Sequence, residues 1–267
     1  MASLWSTRPS LCVATPPKCK DQPPTGDDIN CFIGAIGRKY PLLKEERVWG
    51  ACDGLKLLLQ QSENWAKQNE NYNGWKSKTY INSIYVFSPD GLIRMATINA
   101  PRSWHDSTMA DYGVYRKMER VYALHHATIV IDSAFNLRQN NYLIRSSQSD
   151  PEPKGATPAE ERRAVALNIQ ATSLRQLSEH GMRMIQGQFP RLKDNLQLEE
   201  FGERKVVLHL LVLLYNYQTS KVGMNQILNS FMSKTKGFES YAYTYYHPAD
   251  GETELRLVPE TANNYFI

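Results

Sequence analysis

The chain has 267 residues, 42% hydrophobic and 22% charged, so it is long enough for one large α/β domain or two small ones. Its 31 Lys and Arg residues barely exceed its 27 Asp and Glu residues. This balance permits nucleic-acid binding without arguing for it, because affinity for phosphate depends on clustered charge. The four cysteines form no C-x-x-C pair, and the longest apolar run, 206–217, is too short to cross a membrane. We therefore expect a reduced intracellular protein without a signal peptide or membrane association.

The first predicted elements are an arm, a short helix and a strand. Residues 13–28 contain four prolines and no periodicity, which indicates an extended arm, and a helix is expected over 29–40, ahead of the next proline. Residues 47–61 follow as a buried strand with Asp53 inside an otherwise apolar run. An ionised carboxylate is costly in such surroundings, so Asp53 should be neutralised, paired or bound to a metal ion.

A β-hairpin, a helix and a third strand come next. The strands 80–87 and 92–100 are joined by S-P-D-G, whose proline and glycine suit a type I turn. Residues 103–122 are typical of one continuous helix. The wholly apolar run 127–132 ends in an acid, Asp132, and indicates a central parallel strand.

Two helices complete the predicted core. After a polar loop over 145–158, residues 157–160 (T-P-A-E) form a capping box with proline at the first helical position, and a long helix should run from there to Gln188. A second helix is expected from about residue 199 to 217. The order of strand, hairpin, helix, strand and two helices indicates the α/β class, with a mixed sheet and flanking helices.

Asp53 and Asp132 are candidate metal ligands. If their strands are parallel neighbours, the two carboxylates meet at one edge of the sheet, where ligands bind in open α/β sheets. Two acids held that close cannot both be ionised without a cation or a proton between them, and oxygen ligands of this kind suit Mg²⁺ or Mn²⁺. In the alternative interpretation, which the residue pattern taken alone favours, Asp132 only caps a helix or serves a turn immediately after the strand.

Two further acids also have structural alternatives. Ser103 and Asp106 are spaced as a capping box, so Asp106 could serve only the first turn of its own helix. Glu179 lies one helical turn from both Arg175 and Arg183, which is the pattern of a surface salt-bridge ladder.

A short basic segment is a candidate contact for nucleic acid. In N-G-W-K-S-K, residues 73–78, Lys76 and Lys78 lie close to a tryptophan, a combination that can contact a nucleic-acid backbone, although the pattern taken alone favours a solvated loop. The sequence contains no P-loop, no serine-hydrolase elbow, no zinc-protease motif and no dinucleotide-binding fingerprint.

Four segments together resemble the motifs of DDE-superfamily endonucleases of the Harbinger transposase type. These proteins carry, in order, a G-x-x-D-G strand, a P-G-S-x-H-D-S element, a G-D-S-G-Y strand end and an R-x-x-x-E helix. Two motif glycines are replaced here, by Arg102 and Ile131. The matching segments, each with its acid in register, are 50–54 with Asp53, 100–107 with Asp106, 129–135 with Asp132, and 175–192 with Arg175 and Glu179.

The resemblance covers roughly residues 48–218 and implies a ribonuclease H-like mixed sheet with flanking helices. It implies metal-dependent cleavage of DNA phosphodiester bonds, or strand transfer, by two divalent cations, Mg²⁺ or Mn²⁺. The implied catalytic residues are Asp53, Asp132 and Glu179, and Asp106 joins them as a metal ligand. The candidate DNA contacts are Lys76, Lys78, Arg175 and Arg183, and Arg175 and Arg183 are also expected to orient Glu179 or to neutralise surplus charge.

The predicted organisation is an N-terminal arm and helix over 1–46, a nuclease domain over 47–218 and a C-terminal extension over 219–267. DNA is the implied partner, together with a separate Myb-like DNA-binding protein, and the implied location is the nucleus, although no dense basic import signal is present. The alternative is a domesticated or truncated remnant that binds DNA or protein without cutting. The modest net charge favours that alternative, whereas retention of all four acids favours an enzyme.

Overall fold

The computed structural model describes residues 24–74, 77–101, 106–135, 141–146, 157–197, 200–222 and 226–231. Within these ranges the chain forms a mixed sheet with helices packed against it. The strands are β1 (Val48–Leu58), β2 (Tyr72–Asn73), β3 (Lys78–Phe87), β4 (Ile93–Pro101), β5 (Thr128–Asp132) and β6 (Leu143–Ser146). The helices are α1 (Gly26–Gly37), α2 (Pro41–Glu45), α3 (Trp65–Asn71), α4 (Asp106–Tyr112), α5 (Val114–His125), α6 (Pro158–Gln188), a 3-10 turn (Pro190–Lys193), α7 (Phe201–Val222) and α8 (Gln226–Phe231).

Strand β1 is the centre of the six-stranded sheet. It pairs antiparallel with β3 on one side and parallel with β5 on the other. Strand β5 continues the parallel part to β6, and β3 also pairs antiparallel with β4 and with the short β2. The antiparallel hairpin followed by parallel strands has the ribonuclease H-like arrangement, so the predicted fold class is confirmed.

The predicted hairpin of β3 and β4 is confirmed, and its turn holds a buried ion pair. In the turn, the Gly91 N–H donates to the Ser88 carbonyl at 2.9 Å. Arg94 pairs with Asp90, and its Nε also donates to the Ser88 hydroxyl at 3.0 Å. The Asp90 carboxylate accepts from the Leu92 N–H at 3.1 Å. Ser88, Asp90 and Arg94, referred to below as the turn cluster, therefore close one end of the hairpin.

Helices cover both faces of the sheet. Phe87 of β3 is fully buried, packs edge-on against Tyr215 of α7 and lies under Gly181 of α6. Gly113, between α4 and α5, approaches Thr97 of β4. Thr97 is paired with Ile84 of β3. Because side chains alternate along a strand, Ile84 and Phe87 point to opposite faces of the sheet. Helices α6 and α7 therefore lie on one face, and the α4–α5 junction lies on the other.

The helix predicted over 103–122 is wrong as a single element. The chain breaks at Gly113, and α4 and α5 form on either side of it. A Cβ atom at Gly113 would lie 1.9 Å from the Thr97 hydroxyl oxygen, so the close approach of β4 decides the break. Because Thr97 and Gly113 belong to different elements, the helical periodicity of residues 103–122 does not indicate their contact.

The other predicted elements are largely confirmed. The capping box opens α6, where Thr157 and Glu160 exchange hydrogen bonds, and α6 ends at Gln188 as expected. Helix α1 begins three residues earlier than predicted because Thr25 and Asp28 form a capping box of their own. Strands β2 and β6 and helices α2, α3 and α8 were not predicted, and the first two residues of the predicted polar loop over 145–158 belong to β6, which pairs with β5. Among the described residues, no helix is long and apolar enough to cross a bilayer.

The segments on either side of the predicted nuclease domain contact its core. Phe32 of α1 stacks on Trp49 of β1 with ring centroids 6.5 Å apart, and Ile227 of α8 is buried in the same hydrophobic core. Phe231 of α8 also packs against Tyr40, which joins the two flanking segments to each other. Residues 13–23 of the predicted arm and 232–267 of the predicted extension lie outside the described residues. The three domain boundaries stay predictions.

Candidate functional site

Asp53 and Asp132 lie side by side on neighbouring strands. Strands β1 and β5 run parallel and pair as far as Ala51 and Val130, and Asp53 and Asp132 each follow two residues further along their strands. The negative charge of Asp132 acts on Asp53 and raises its pKa, so the two carboxylates are near each other. The two side chains therefore point to the same face at the carboxyl end of β5. The described residues 133–135 form a turn, so Asp132 does not cap a helix within them. Adjacent parallel strands thus bring together the two acids that the sequence places 79 positions apart.

Asp53 is partly shielded from water and carries an excess of negative neighbours. Burial raises the pKa of Asp53 above its ordinary value of 3.8, and the charges of Asp132 and Glu179 raise it further. The Gly54 N–H, which donates to Asp53 Oδ1 at 2.7 Å, and the nearby Arg175 act in the opposite direction. Burial is the largest of these influences, so the carboxylate of Asp53 is costly to ionise mainly because it is shielded from water.

Helix α6 adds Glu179 and Arg175 to the two strand acids. The Arg175 guanidinium uses its two terminal nitrogens on two different carboxylates, since Nη1 donates to Asp132 Oδ1 and Nη2 donates to Glu179 Oε1 at 3.0 Å. Partial burial disfavours the charge of Arg175, but the bond to Glu179 and the field of Asp132 outweigh it and raise its pKa. The set of Asp53, Asp132, Glu179 and Arg175 is called the acid cluster below.

Each carboxylate of the pair bound by Arg175 remains half exposed. The side chains of Asp132 and Glu179 keep 28% and 39% of their accessible surface, and Arg175 keeps 30%. The surface salt-bridge ladder expected around Glu179 is therefore observed for Arg175 alone among the described residues. Arg175 does pair with Glu179, yet it also ties Glu179 to a strand of the sheet, whereas exposed Arg183 makes no ion pair within the described residues.

Gly181 determines how closely α6 approaches the sheet. A Cβ atom at this position would lie 2.4 Å from the Phe87 ring, in a part of the core that is completely buried. Because Glu179 is only two residues away, the same close contact sets the reach of its carboxylate toward β1 and β5. Sequence reasoning missed this residue, and a glycine inside an otherwise regular helix was the available signal.

Tyr85 is a second neighbour of the site that sequence reasoning missed. It is the direct antiparallel partner of Asp53 on β3 and is only 3% exposed. Burial raises the pKa of Tyr85 to about 12, so the phenol beside Asp53 is neutral at ordinary pH. The antiparallel register of β1 and β3 identifies Tyr85 as this neighbour, and that pairing between separate segments is not visible in the sequence.

The described structure leaves the positions of two predicted site side chains, Asp106 and Lys76, untested and places a third, Lys78, away from the acid cluster. Asp106 begins α4, but its side chain lies outside the described residues. Lys76 is outside them as well. Lys78 is exposed at the start of β3, seven residues from Tyr85 and therefore roughly 23 Å along the strand from the level of Asp53.

The acid cluster has the ligand chemistry of a site for a hard divalent cation. Its donors are carboxylate oxygens, which Mg²⁺ and Mn²⁺ prefer, and three carboxylates gather around one guanidinium. Among the described side chains, however, no three His, Cys, Asp or Glu groups are gathered closely enough to hold a metal ion as they stand. Arg175 occupies one oxygen of Asp132 and one of Glu179, and each carboxylate has a second oxygen.

Comparison with known proteins gives one match. A family model described as DDE superfamily endonuclease matches residues 52–216, which include β1 from Cys52 onward, β5, α6 and most of α7. Asp53, Asp132 and Glu179 all lie within the matched region. Neither the curated proteins nor the solved structures include a match to the chain.

Proposed function

Because the chain belongs to the DDE superfamily endonucleases, we propose that it is a metal-dependent nuclease that cleaves DNA phosphodiester bonds or transfers DNA strands. One observation supports this proposal most directly. Acids from two neighbouring strands and from α6 lie around a single guanidinium, with Asp53 destabilised as an anion by burial and by the other two acids. Structural ion pairs do not need surplus carboxylates, whereas a site for divalent cations does.

In this proposal Asp53, Asp132 and Glu179 hold the cations, with Asp106 as an additional ligand. A pair of bound Mg²⁺ or Mn²⁺ ions supplies an activated oxygen nucleophile and charge stabilisation for in-line displacement at phosphorus. Asp53, on which the charges of both other acids act, would contribute its carboxylate oxygens to the bound cations from the sheet side. Glu179 completes the set from the helix side. No side chain acts as a nucleophile, which agrees with the lack of serine and cysteine catalytic motifs in the sequence.

DNA is the proposed substrate. Arg183 on the exposed side of α6 and Lys78 at the far end of β3 are proposed backbone contacts, because cationic side chains on the surface lower the cost of approaching phosphates. Replacing either should weaken binding to a fluorescent duplex, uniformly across sequences, and should reduce the salt dependence of that binding. Unchanged affinity and salt dependence would remove that residue from the interface.

A Myb-like DNA-binding partner and a nuclear location are proposed from the family resemblance alone. The modest net charge of +4 supports help from another DNA-binding protein. A fluorescent fusion of the full chain should accumulate in the nucleus when the partner is co-expressed. Retention outside the nucleus under that condition would contradict both parts of this proposal.

The decisive test of the proposed activity is nicking of supercoiled plasmid DNA in Mg²⁺ or Mn²⁺. The wild-type chain should nick, chelation by EDTA should stop the reaction, and Asp53→Asn and Glu179→Gln should each abolish it. Arg163→Met provides a matched control, because Arg163 also lies on α6 and also bridges two carboxylates, Glu45 and Glu46, away from the site. Nicking that survives in Asp53→Asn would refute the assignment.

A catalytically silent remnant is the second candidate, and one observation favours it. The described side chains contain no ready group of three metal ligands. Calorimetric titration with Mn²⁺ separates the two candidates, because an enzyme should show binding that disappears in Asp53→Asn, whereas a silent scaffold should show no binding that depends on these carboxylates.

A further inference from the structure

We infer that Arg175 is a resident cation of the acid cluster, which holds Asp132 and Glu179 together before metal binding and competes with the divalent cation for their oxygens. This inference rests on the proposed function, since it concerns the same site. It assigns to Arg175 a positioning and affinity-setting role, in addition to the orienting role expected from the sequence.

The geometry of Arg175 supports competition. Its two terminal nitrogens bind two acids that belong to different elements, β5 and α6. The Arg175 guanidinium therefore neutralises the same two carboxylates, Asp132 and Glu179, that a shared metal cation would have to neutralise. With 30% of its side chain exposed, Arg175 borders solvent and has room to turn away without unpacking the core.

The charge balance supports competition as well. Asp53, Asp132 and Glu179 present three carboxylates, and the charge of Arg175 interacts with all three. A divalent ion placed among these acids is repelled by the guanidinium and loses any oxygen that the guanidinium retains. Arg175 must therefore weaken metal binding by the wild-type chain, while it spares the metal-free protein the full repulsion among three acids.

No three potential metal ligands are gathered among the described side chains, and Arg175 binds one oxygen of each of two of the acids. Arg175 draws Asp132 and Glu179 toward its own nitrogens, so the metal-free site rests in a form that differs from the one a cation would organise. Removing the guanidinium should free both acids for the metal. Coupling of this kind between two competing partners typically changes an affinity 5- to 150-fold.

The test is calorimetric titration of Mn²⁺ into metal-free full-length protein without DNA. We expect Arg175→Met, which keeps most of the apolar stem, to bind Mn²⁺ at least about tenfold more tightly than wild type. Arg163→Met removes a guanidinium with the same two-carboxylate pattern, about 18 Å away along α6, and should leave the affinity within about twofold. Equal or weaker binding in Arg175→Met would overturn the inference.

Thermal unfolding provides an independent readout. Without metal, Arg175→Met should melt at a lower temperature than Arg163→Met, and saturating Mn²⁺ should raise its melting temperature by more than it raises that of wild type. A smaller rise would contradict competition. If circular dichroism shows that Arg175→Met is unfolded, the same titration is made with Arg175→Lys. A lysine keeps the positive charge but does not bridge two acids with a planar group. The Mn²⁺ affinity of Arg175→Lys should still exceed that of wild type.

Failure of this inference and failure of the proposed function give different results. If wild type, Arg175→Met and Arg163→Met all fold but none binds Mn²⁺, the metal-dependent function itself is wrong. If all three bind and Arg175→Met is not tighter, the function stands and the competing role of Arg175 is wrong.

Discussion

The turn cluster and the acid cluster use the same kinds of side chain for opposite purposes. In the turn cluster one Arg94 meets one Asp90, and their side chains are only 6% and 5% exposed. The Ser88 hydroxyl and the Leu92 N–H both donate to the remaining carboxylate oxygen, Asp90 Oδ1. In the acid cluster one Arg175 meets several acids whose side chains are about a third exposed.

The contrast lies in charge balance and access. The turn cluster is neutral, closed and local, because its residues lie within seven positions of the chain. Such a pair stabilises one backbone conformation and has no capacity for a further ion. The acid cluster has surplus negative charge, an open side and contributions from three distant elements. Surplus charge retained beside solvent is the property that separates a candidate active site from a structural ion pair.

The largest expected effect is on activity. Asp53→Asn should lower metal-dependent nicking at least about 10³-fold, since a lost metal ligand removes several kcal/mol of transition-state stabilisation. Initial rates of plasmid nicking measure it. Asp90→Asn, in the turn cluster, should keep the wild-type rate per folded molecule. If the two substitutions lower the rate equally, the functional distinction between the clusters is lost.

The next effect is on stability. Asp90→Ala should lower the free energy of unfolding by about 3–5 kcal/mol, because it leaves the buried Arg94 charge without its carboxylate. Urea denaturation of the metal-free protein measures the change. Mn²⁺ affinity of the folded fraction should not change. A loss below about 1 kcal/mol would show that the turn cluster is not the structural element described above.

A smaller effect is expected where α6 meets the sheet. Gly181→Ala should cost about 1–3 kcal/mol of stability, because its Cβ would overlap the buried Phe87 ring. The displaced helix should also carry Glu179 away from the strand acids and lower the nicking rate. Gly187→Ala is the control on the same helix, since a Cβ there meets nothing within 4 Å, and it should be neutral or stabilising by up to about 1 kcal/mol.

The smallest effect has the opposite sign. In the metal-free protein, Asp53→Asn should raise the free energy of unfolding by about 1 kcal/mol at pH 7, as relief of strain at active sites commonly does. Burial and the nearby acids raise the pKa of Asp53, so the folded state holds this proton more tightly than the unfolded state does.

The pH dependence of that gain follows from the same shift. The stability linked to the Asp53 proton is fully present below its ordinary pKa of 3.8 and is lost as the pH rises through the raised value. Asparagine has no such proton to lose. The gain should therefore appear at neutral pH and vanish in urea melts near pH 3, and a gain that persists there would contradict this account.

The sequence by itself determined the elements whose causes are local. The capping box at Thr157, the S-P-D-G turn and the apolar strand around Asp53 each depend on dihedral preferences or hydrogen bonds within a few residues. The order of four acid-bearing segments also pointed to the family that the matched region establishes.

Only the tertiary structure decided how these elements meet. The break at Gly113 depends on Thr97 of another strand, and the closeness of α6 depends on Phe87. The alignment of Asp53 with Asp132 requires the β1–β5 register, and the double contact of Arg175 requires α6 to lie over that register. These features arise from packing between segments far apart in the chain, and local periodicity does not specify such packing.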